Sequence, residues 1–279
     1  AALRQGAPAS APGSPPDHQH PVVRNISGAA PAARPVPPAV PVTPAAPAKE
    51  SKQVKLDLAR LAAMGYLTPS APRSHVADEF RVVKRPLLTN VHGKGAAEVA
   101  RANLIMVTSS LPGEGKTFVS VNLAMSLAME LDTTVLLVDA DVSRPSVLDR
   151  LGLPPSPGLL DVLTTPSLDL SDVMLRTDID KLALLPAGKH HERSTELLAS
   201  ENMQRLLDEM ASRYSDRVIV FDGPPLLAST ESRVLASHMG QVVVVVEAGR
   251  TSHKTLAQAM DTIESCPVVM PLLNKISRS

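Results

Sequence analysis

Lys116 makes the most specific chemical demand in this chain. It stands in Ser110-Leu111-Pro112-Gly113-Glu114-Gly115-Lys116-Thr117, between an apolar run at 104–107 and a helical pattern. A strand, a Gly-rich loop and a helix in that order form a phosphate cradle. Gly113 and Gly115 let the backbone turn so that its N–H groups converge, and the helix N-terminus adds partial positive charge there. Lys116 then reaches the β- and γ-phosphates, and the Thr117 hydroxyl ligates Mg²⁺. The motif G-x-x-x-x-G-K-[ST] asks for Gly where this chain has Ser110.

Three carboxylates complete the set. Asp139 and Asp141 end the apolar run 135–138, with Arg144 close behind, and Asp222 ends the run 218–221 before Gly223-Pro224-Pro225. An Asp in such a place can simply cap the next helix. Three such features at the ends of three strands point to one site, because ligands in open α/β sheets sit beyond the carboxyl ends of the strands. Asp222 suits a metal held through water, Asp139 a second metal contact, and the Asp139/Asp141 pair can orient an attacking oxygen. Cofactors ATP and Mg²⁺ follow.

The elements that position these residues are legible as alternation. Apolar runs lie at 104–107, 135–138, 182–185, 218–221, 242–246 and 268–273, with helical patterns at 116–131, 197–214, 232–238 and 254–265. Strands that are apolar throughout are buried on both faces, and alternation with helices predicts a mostly parallel sheet flanked by helices, the α/β P-loop NTPase class. Pro271 sits awkwardly in the last strand. Ahead of this domain, 99–279, two short helices are expected in 51–98, over 52–64 and 75–91, with Pro86 kinking or ending the second. Residues 1–50 are Pro/Ala-rich and are expected to be a disordered arm.

Composition sets outer limits. In 279 residues, 28 Lys and Arg balance 28 Asp and Glu, which removes the bulk electrostatic case for nucleic acid. Aromatic residues make up only 2%, so the core must be aliphatic, and Met125, Met129, Met203 and Met210 belong to it. The single Cys266 cannot form an intramolecular disulfide and fits a reducing cytosol. No apolar run approaches the roughly 18 residues that span a bilayer, and no signal peptide is visible. The chain opens on Ala1 rather than Met, as a fragment would. His190-His191 lies in a polar stretch and is expected to face water; Arg250-Thr251 stands at a strand end near the nucleotide.

Taken together, Ser-Ser-Leu-Pro-Gly-Glu-Gly-Lys-Thr at 109–117, Asp139-x-Asp141-x-x-Arg144 and Asp222-Gly-Pro-Pro resemble the bacterial tyrosine kinases, the BY-kinases. Their nearest look-alikes, the septum-placing and plasmid-partition ATPases, carry a Lys where this chain has Leu111. Leu185-Pro-Ala-Gly188, Glu196-Leu-Leu198 and Thr230-Glu231 extend the resemblance, and 56–88 is similar to the exosortase-associated, exopolysaccharide-locus autokinases. The resemblance implies tyrosine autophosphorylation, with Pro112, Glu114, Phe118 and Asn274 beside the nucleotide. It also implies work in polysaccharide polymerisation or export at the inner face of the membrane. The implied partners are a membrane chain-length-determinant (co-polymerase) activator, a cognate phosphatase and further copies of the chain in a ring. A regulatory ATPase and an ATP-gated scaffold remain the alternatives. Asp78, Arg81 and Lys84 hold the spacing of the family's ring-forming helix, whereas its Tyr-rich tail is missing: the only tyrosines are Tyr66 and Tyr214.

Overall fold

The computed structural model describes residues 52–214 and 216–276; the expected arm at 1–50 lies outside them. The elements run β1 (Gln53–Val54), α1 (Leu58–Ala63), α2 (His75–Val91), β2 (Leu104–Ser109), α3 (Lys116–Ala128), β3 (Thr134–Asp139), α4 (Val147–Leu151), α5 (Leu159–Thr164) and α6 (Leu170–Val173). They continue with β4 (Leu175–Thr177), β5 (Leu182–Leu185), α7 (Ser194–Leu198), α8 (Glu201–Arg213), β6 (Arg217–Asp222), α9 (Thr230–Ser237), β7 (Gln241–Glu247), α10 (His253–Asp261) and β8 (Val268–Asn274).

All eight strands form one sheet in the order β1-β4-β5-β3-β6-β2-β7-β8, parallel except where β4 meets β5. Alternate residues serve opposite faces, as the two-residue strand period requires. Leu136, Val138, Ile219, Phe221, Val242 and Val244 pack into one apolar layer. Ile105, Val107, Leu137, Val220, Val243 and Val245 pack into the other, against α1, α2 and α3. Each fully buried aliphatic side chain contributes about 1.5–3 kcal/mol. Met125, Met203 and Met210 are buried, and Met129 packs at the edge of the second layer.

The six expected strands and the helix at 75–91 are present; other boundaries differ for local reasons. The helix expected over 52–64 begins instead as β1, and Asp57 starts α1 by accepting the Arg60 N–H. Pro86 does not end α2, whose Phe80, Leu87 and Leu88 are buried on both sides of it. The helix expected over 197–214 is two, because the Ser200 hydroxyl caps α8 by accepting the Met203 N–H. Pro271 is accommodated because β8 is an edge strand. The short strands β1 and β4 went unpredicted: two or three residues are too few to display a period. Among the described residues no helix is long and apolar enough to cross a membrane.

The segment 52–98 is part of the same compact unit as the rest of the described chain. Its α2 packs on α3, and Lys84 is buried there, 2.6 Å from the Glu130 carboxylate and 2.6 Å from the Ser126 carbonyl. Lys84 therefore does not share an exposed face with Asp78 and Arg81, which pair with each other at 2.5 Å. The i, i+3 spacing was right, but the third charge reaches inward along its aliphatic stem to an intrachain partner.

Candidate nucleotide site

The carboxyl ends of β2, β3 and β6 lie side by side, with Asp139 in register with Asp222. The loop after β2 carries Gly113 and Gly115 at φ +90° and +101°, a region that costs other residues strain. A β-carbon on Gly115 would also run into the Asn274 side chain. That side chain donates to the Glu114 carbonyl at 2.9 Å, and Lys275 Nζ to the Gly113 carbonyl at 2.7 Å, so the end of β8 ties down the loop.

Above the loop opens a cavity of about 820 Å³, lined among others by Gly115, Lys116, Thr117, Asp141, Arg144 and Asn274. Pro112, Gly113 and Phe118 also line it. Two loop residues point elsewhere. The Ser110 hydroxyl is buried without a hydrogen-bond partner and is not on the wall. The buried Glu114 carboxylate accepts the Leu111 N–H at 2.8 Å and the Thr251 hydroxyl, so it braces the loop from behind.

Lys116 Nζ lies 2.6 Å from Asp141 Oδ2. Thr117 Oγ1 donates to Asp222 Oδ2 at 2.6 Å, and Ser120 Oγ to Asp222 Oδ1 at 3.0 Å. Asp139 Oδ2 accepts the backbone N–H groups of Ser146 and Val147 at 3.0 and 2.9 Å, holding the start of α4, while its Oδ1 is buried without a partner. Asp139 lines a separate cavity of about 230 Å³ rather than the large one. Ser146 bridges the groups, its hydroxyl 2.9 Å from Thr117 Oγ1. Ser120 and Ser146 escaped sequence reasoning; their only signal is the i+4 spacing from Lys116 and the proximity to Asp141.

Three buried carboxylates against one ammonium hold more negative charge than the protein neutralises. Burial, then the nearby Asp222 charge, pushes Asp139 up to about 7, against its two backbone hydrogen bonds. Burial likewise raises Asp222, although Lys116 opposes it. For Lys116 burial works against the charged form, yet Asp222 and Asp141 outweigh it and its pKa is raised. Asp141 on the wall and Asp222 behind the Thr117 hydroxyl fit a divalent cation held chiefly by phosphate oxygens and water, and among the described residues no cluster of three or more His, Cys, Asp or Glu side chains forms a protein-only metal site. A loop of inward N–H groups with a lysine fits a polyphosphate.

The profile of the AAA domain family matches residues 102–270. The chain belongs to that family. Among AAA-domain relatives its kinship is with bacterial tyrosine-protein kinases. It is 33% identical to the tyrosine-protein kinase ptk of Acinetobacter johnsonii over 70% of this chain, but only 26% of that protein is covered. Against the tyrosine-protein kinase YwqD of Bacillus subtilis it is 29% identical over 70% of this chain and 78% of the relative. The kinase domain of the Escherichia coli tyrosine kinase ETK superposes with a TM-score of 0.64 at 26% identity, covering 76% of this chain and 82% of that domain.

Proposed function

We propose that this AAA-domain chain is an ATP-dependent protein-tyrosine autokinase serving exopolysaccharide or capsule assembly. The observation that carries the reading is the convergence of Lys116, Thr117 and Asp141 on one cavity above a glycine-turned loop, with Asp222 buried behind Thr117 and bonded to it, in a chain whose relatives are named tyrosine kinases.

ATP, when bound with Mg²⁺, supplies the transferable γ-phosphoryl group and a counter-charge for it. Backbone N–H groups of 113–117 gather the phosphate oxygens, Lys116 neutralises the β- and γ-oxygens, and Thr117 with Asp222 would hold the metal. Asp141, on the cavity wall, is placed to accept the phenolic proton as the new O–P bond forms and the β–γ bridging bond breaks, leaving ADP. Asp139 holds the turn that carries Ser146 and lends negative charge to the metal site. In this reading the protein works at the inner face of the membrane, activated by a chain-length-determinant protein, as a homo-oligomer reset by a phosphatase.

Leu111, exposed on the loop, favours this over a partition-type ATPase, which carries Lys there. The test is incubation with labelled ATP and Mg²⁺, with and without a candidate activator, followed by phosphoamino-acid analysis. Labelled phosphotyrosine is expected; phosphate release without any labelled residue would leave only an ATPase.

A further inference from the structure

The large cavity has an apolar wall to which the phosphate and metal chemistry above assigns no role. Gly65, at φ +82°, turns the chain after α1 so that Met64 and Tyr66 reach the cavity. Tyr66 packs on Phe118 with ring centroids 5.1 Å apart and planes tilted by 41°. Tyr66 is buried, Phe118 is half-buried, and Met64 is 40% exposed, one of few large apolar side chains left in water. Tyr66 belongs to the core behind this wall, and Phe118 and Met64 leave an apolar face open to the cavity, as a ligand contact requires.

Its position indicates which substrate it meets. Asn274 and Lys275 stand against residues 113–115 of the phosphate loop, bonded to Glu114 and Gly113. The Tyr66 ring packs on Phe118, the residue that follows Thr117. Thr117 Oγ1 in turn donates to Asp222 at 2.6 Å. The wall thus borders the metal end, where the attacking group must arrive. Arg144 and Arg150, both exposed on the same cavity, form no ion pair among the described residues.

We propose that Met64, Tyr66 and Phe118 seat the aromatic ring of the acceptor tyrosine, with Arg144 and Arg150 receiving acidic residues beside it. This deepens the kinase reading and rests on it. Phe118 and Met64 touch the acceptor ring, and Tyr66 backs Phe118. The segment before the AAA domain is therefore part of the substrate site.

The test is binding of a synthetic peptide with one Tyr between acidic residues, and of the same peptide with Leu in its place, to protein loaded with Mg²⁺ and a non-hydrolysable ATP analogue. The Tyr peptide is expected to bind more tightly than the Leu peptide. Met64→Ser and Phe118→Leu should each weaken it about three- to tenfold, the scale of an aromatic contact, with little effect on the Leu peptide; Tyr66→Phe should retain binding. Met64 is exposed enough that its replacement tests contact rather than folding. Equal binding of both peptides by the wild type would overturn the proposal. So would variants that bind the Tyr peptide like the wild type, a loss that falls on nucleotide affinity instead, or phosphate found on Tyr66 itself. Wall-dependent peptide binding without phosphotyrosine formation would sink the kinase reading alone and leave the ring seat standing.

Discussion

Asp139 and Asp141 are one residue apart and face different surroundings. Asp141 pairs with Lys116 on the cavity wall, whereas Asp139 spends one oxygen on two backbone N–H groups and leaves the other unpaired. Asp141→Asn is expected to lower phosphotyrosine formation on the order of 10²-fold or more, the scale of general-base loss, with a smaller effect on ATP affinity. Parallel rate and affinity measurements decide it, and a rate that falls only with affinity would remove Asp141 from that role. Asp139 also titrates in a useful window. Its folded pKa of about 7 stands above the ordinary carboxylate value of 3.8. The folded state therefore binds the proton more tightly, and stability present at low pH is lost as pH rises from about 4 to 7, by an amount on the order of a few kcal/mol. Denaturant melts of the metal-free protein at pH 5 and 7.5 should show this fall, and Asp139→Asn should flatten it. An unchanged slope in the variant would assign the titration to another group.

At the scale of elements, α2 and the phosphate loop each depend on a partner distant in sequence. Lys84 of α2 anchors to the end of α3 through Glu130 and the Ser126 carbonyl. Lys84→Glu should cost about 3 kcal/mol, because it buries a carboxylate against Glu130. Arg81→Glu, on the exposed side of the same helix, should leave the monomer's melting intact. If copies associate through α2, Arg81→Glu weakens that association; light scattering across concentrations reads it, and unchanged mass would exclude Arg81 from the contact. The phosphate loop is braced by Glu114 and Thr251, 137 residues apart. Thr251→Val removes the hydroxyl at constant shape and leaves a buried carboxylate one partner short. ATP affinity should fall roughly five- to tenfold, and titration with a fluorescent ATP analogue measures it. Wild-type affinity would mean the loop keeps its shape without the brace.

Across the whole molecule, the nucleotide site joins the ends of β2, β3, β6 and β8 with segments on both faces of the sheet, so occupancy should stabilise the entire unit. Saturating Mg-ATP at about 100 times its dissociation constant adds about 2.7 kcal/mol, or roughly 5–10 °C in melting temperature for a domain of this size. Lys116→Met should abolish that shift, because no other side chain in the loop neutralises the β- and γ-oxygens. A full shift in the variant would show that the nucleotide is held elsewhere.

The order of the six longer strands and the main helices, and the loop and carboxylates at their ends, were legible in the sequence because each is written locally, whereas β1, β4 and the short helices α4, α5 and α6 were not. A buried strand is a continuous apolar run, and a phosphate loop is a set of glycines at fixed offsets from one lysine. What the sequence left open was decided by contacts across long separations. Glu114 carries the same charge whether it faces a ligand or Thr251, and only the β7–α10 turn settles which. Lys84 keeps the spacing of a surface triplet and is drawn inward by Glu130, 46 residues on. Asp139 and Asp141, two positions apart, read as an equivalent pair until the chain left β3 after Asp139 and turned one carboxylate toward the start of α4 and the other toward the lysine. Which side chain faces the cavity is a property of packing, and one-dimensional spacing does not carry it.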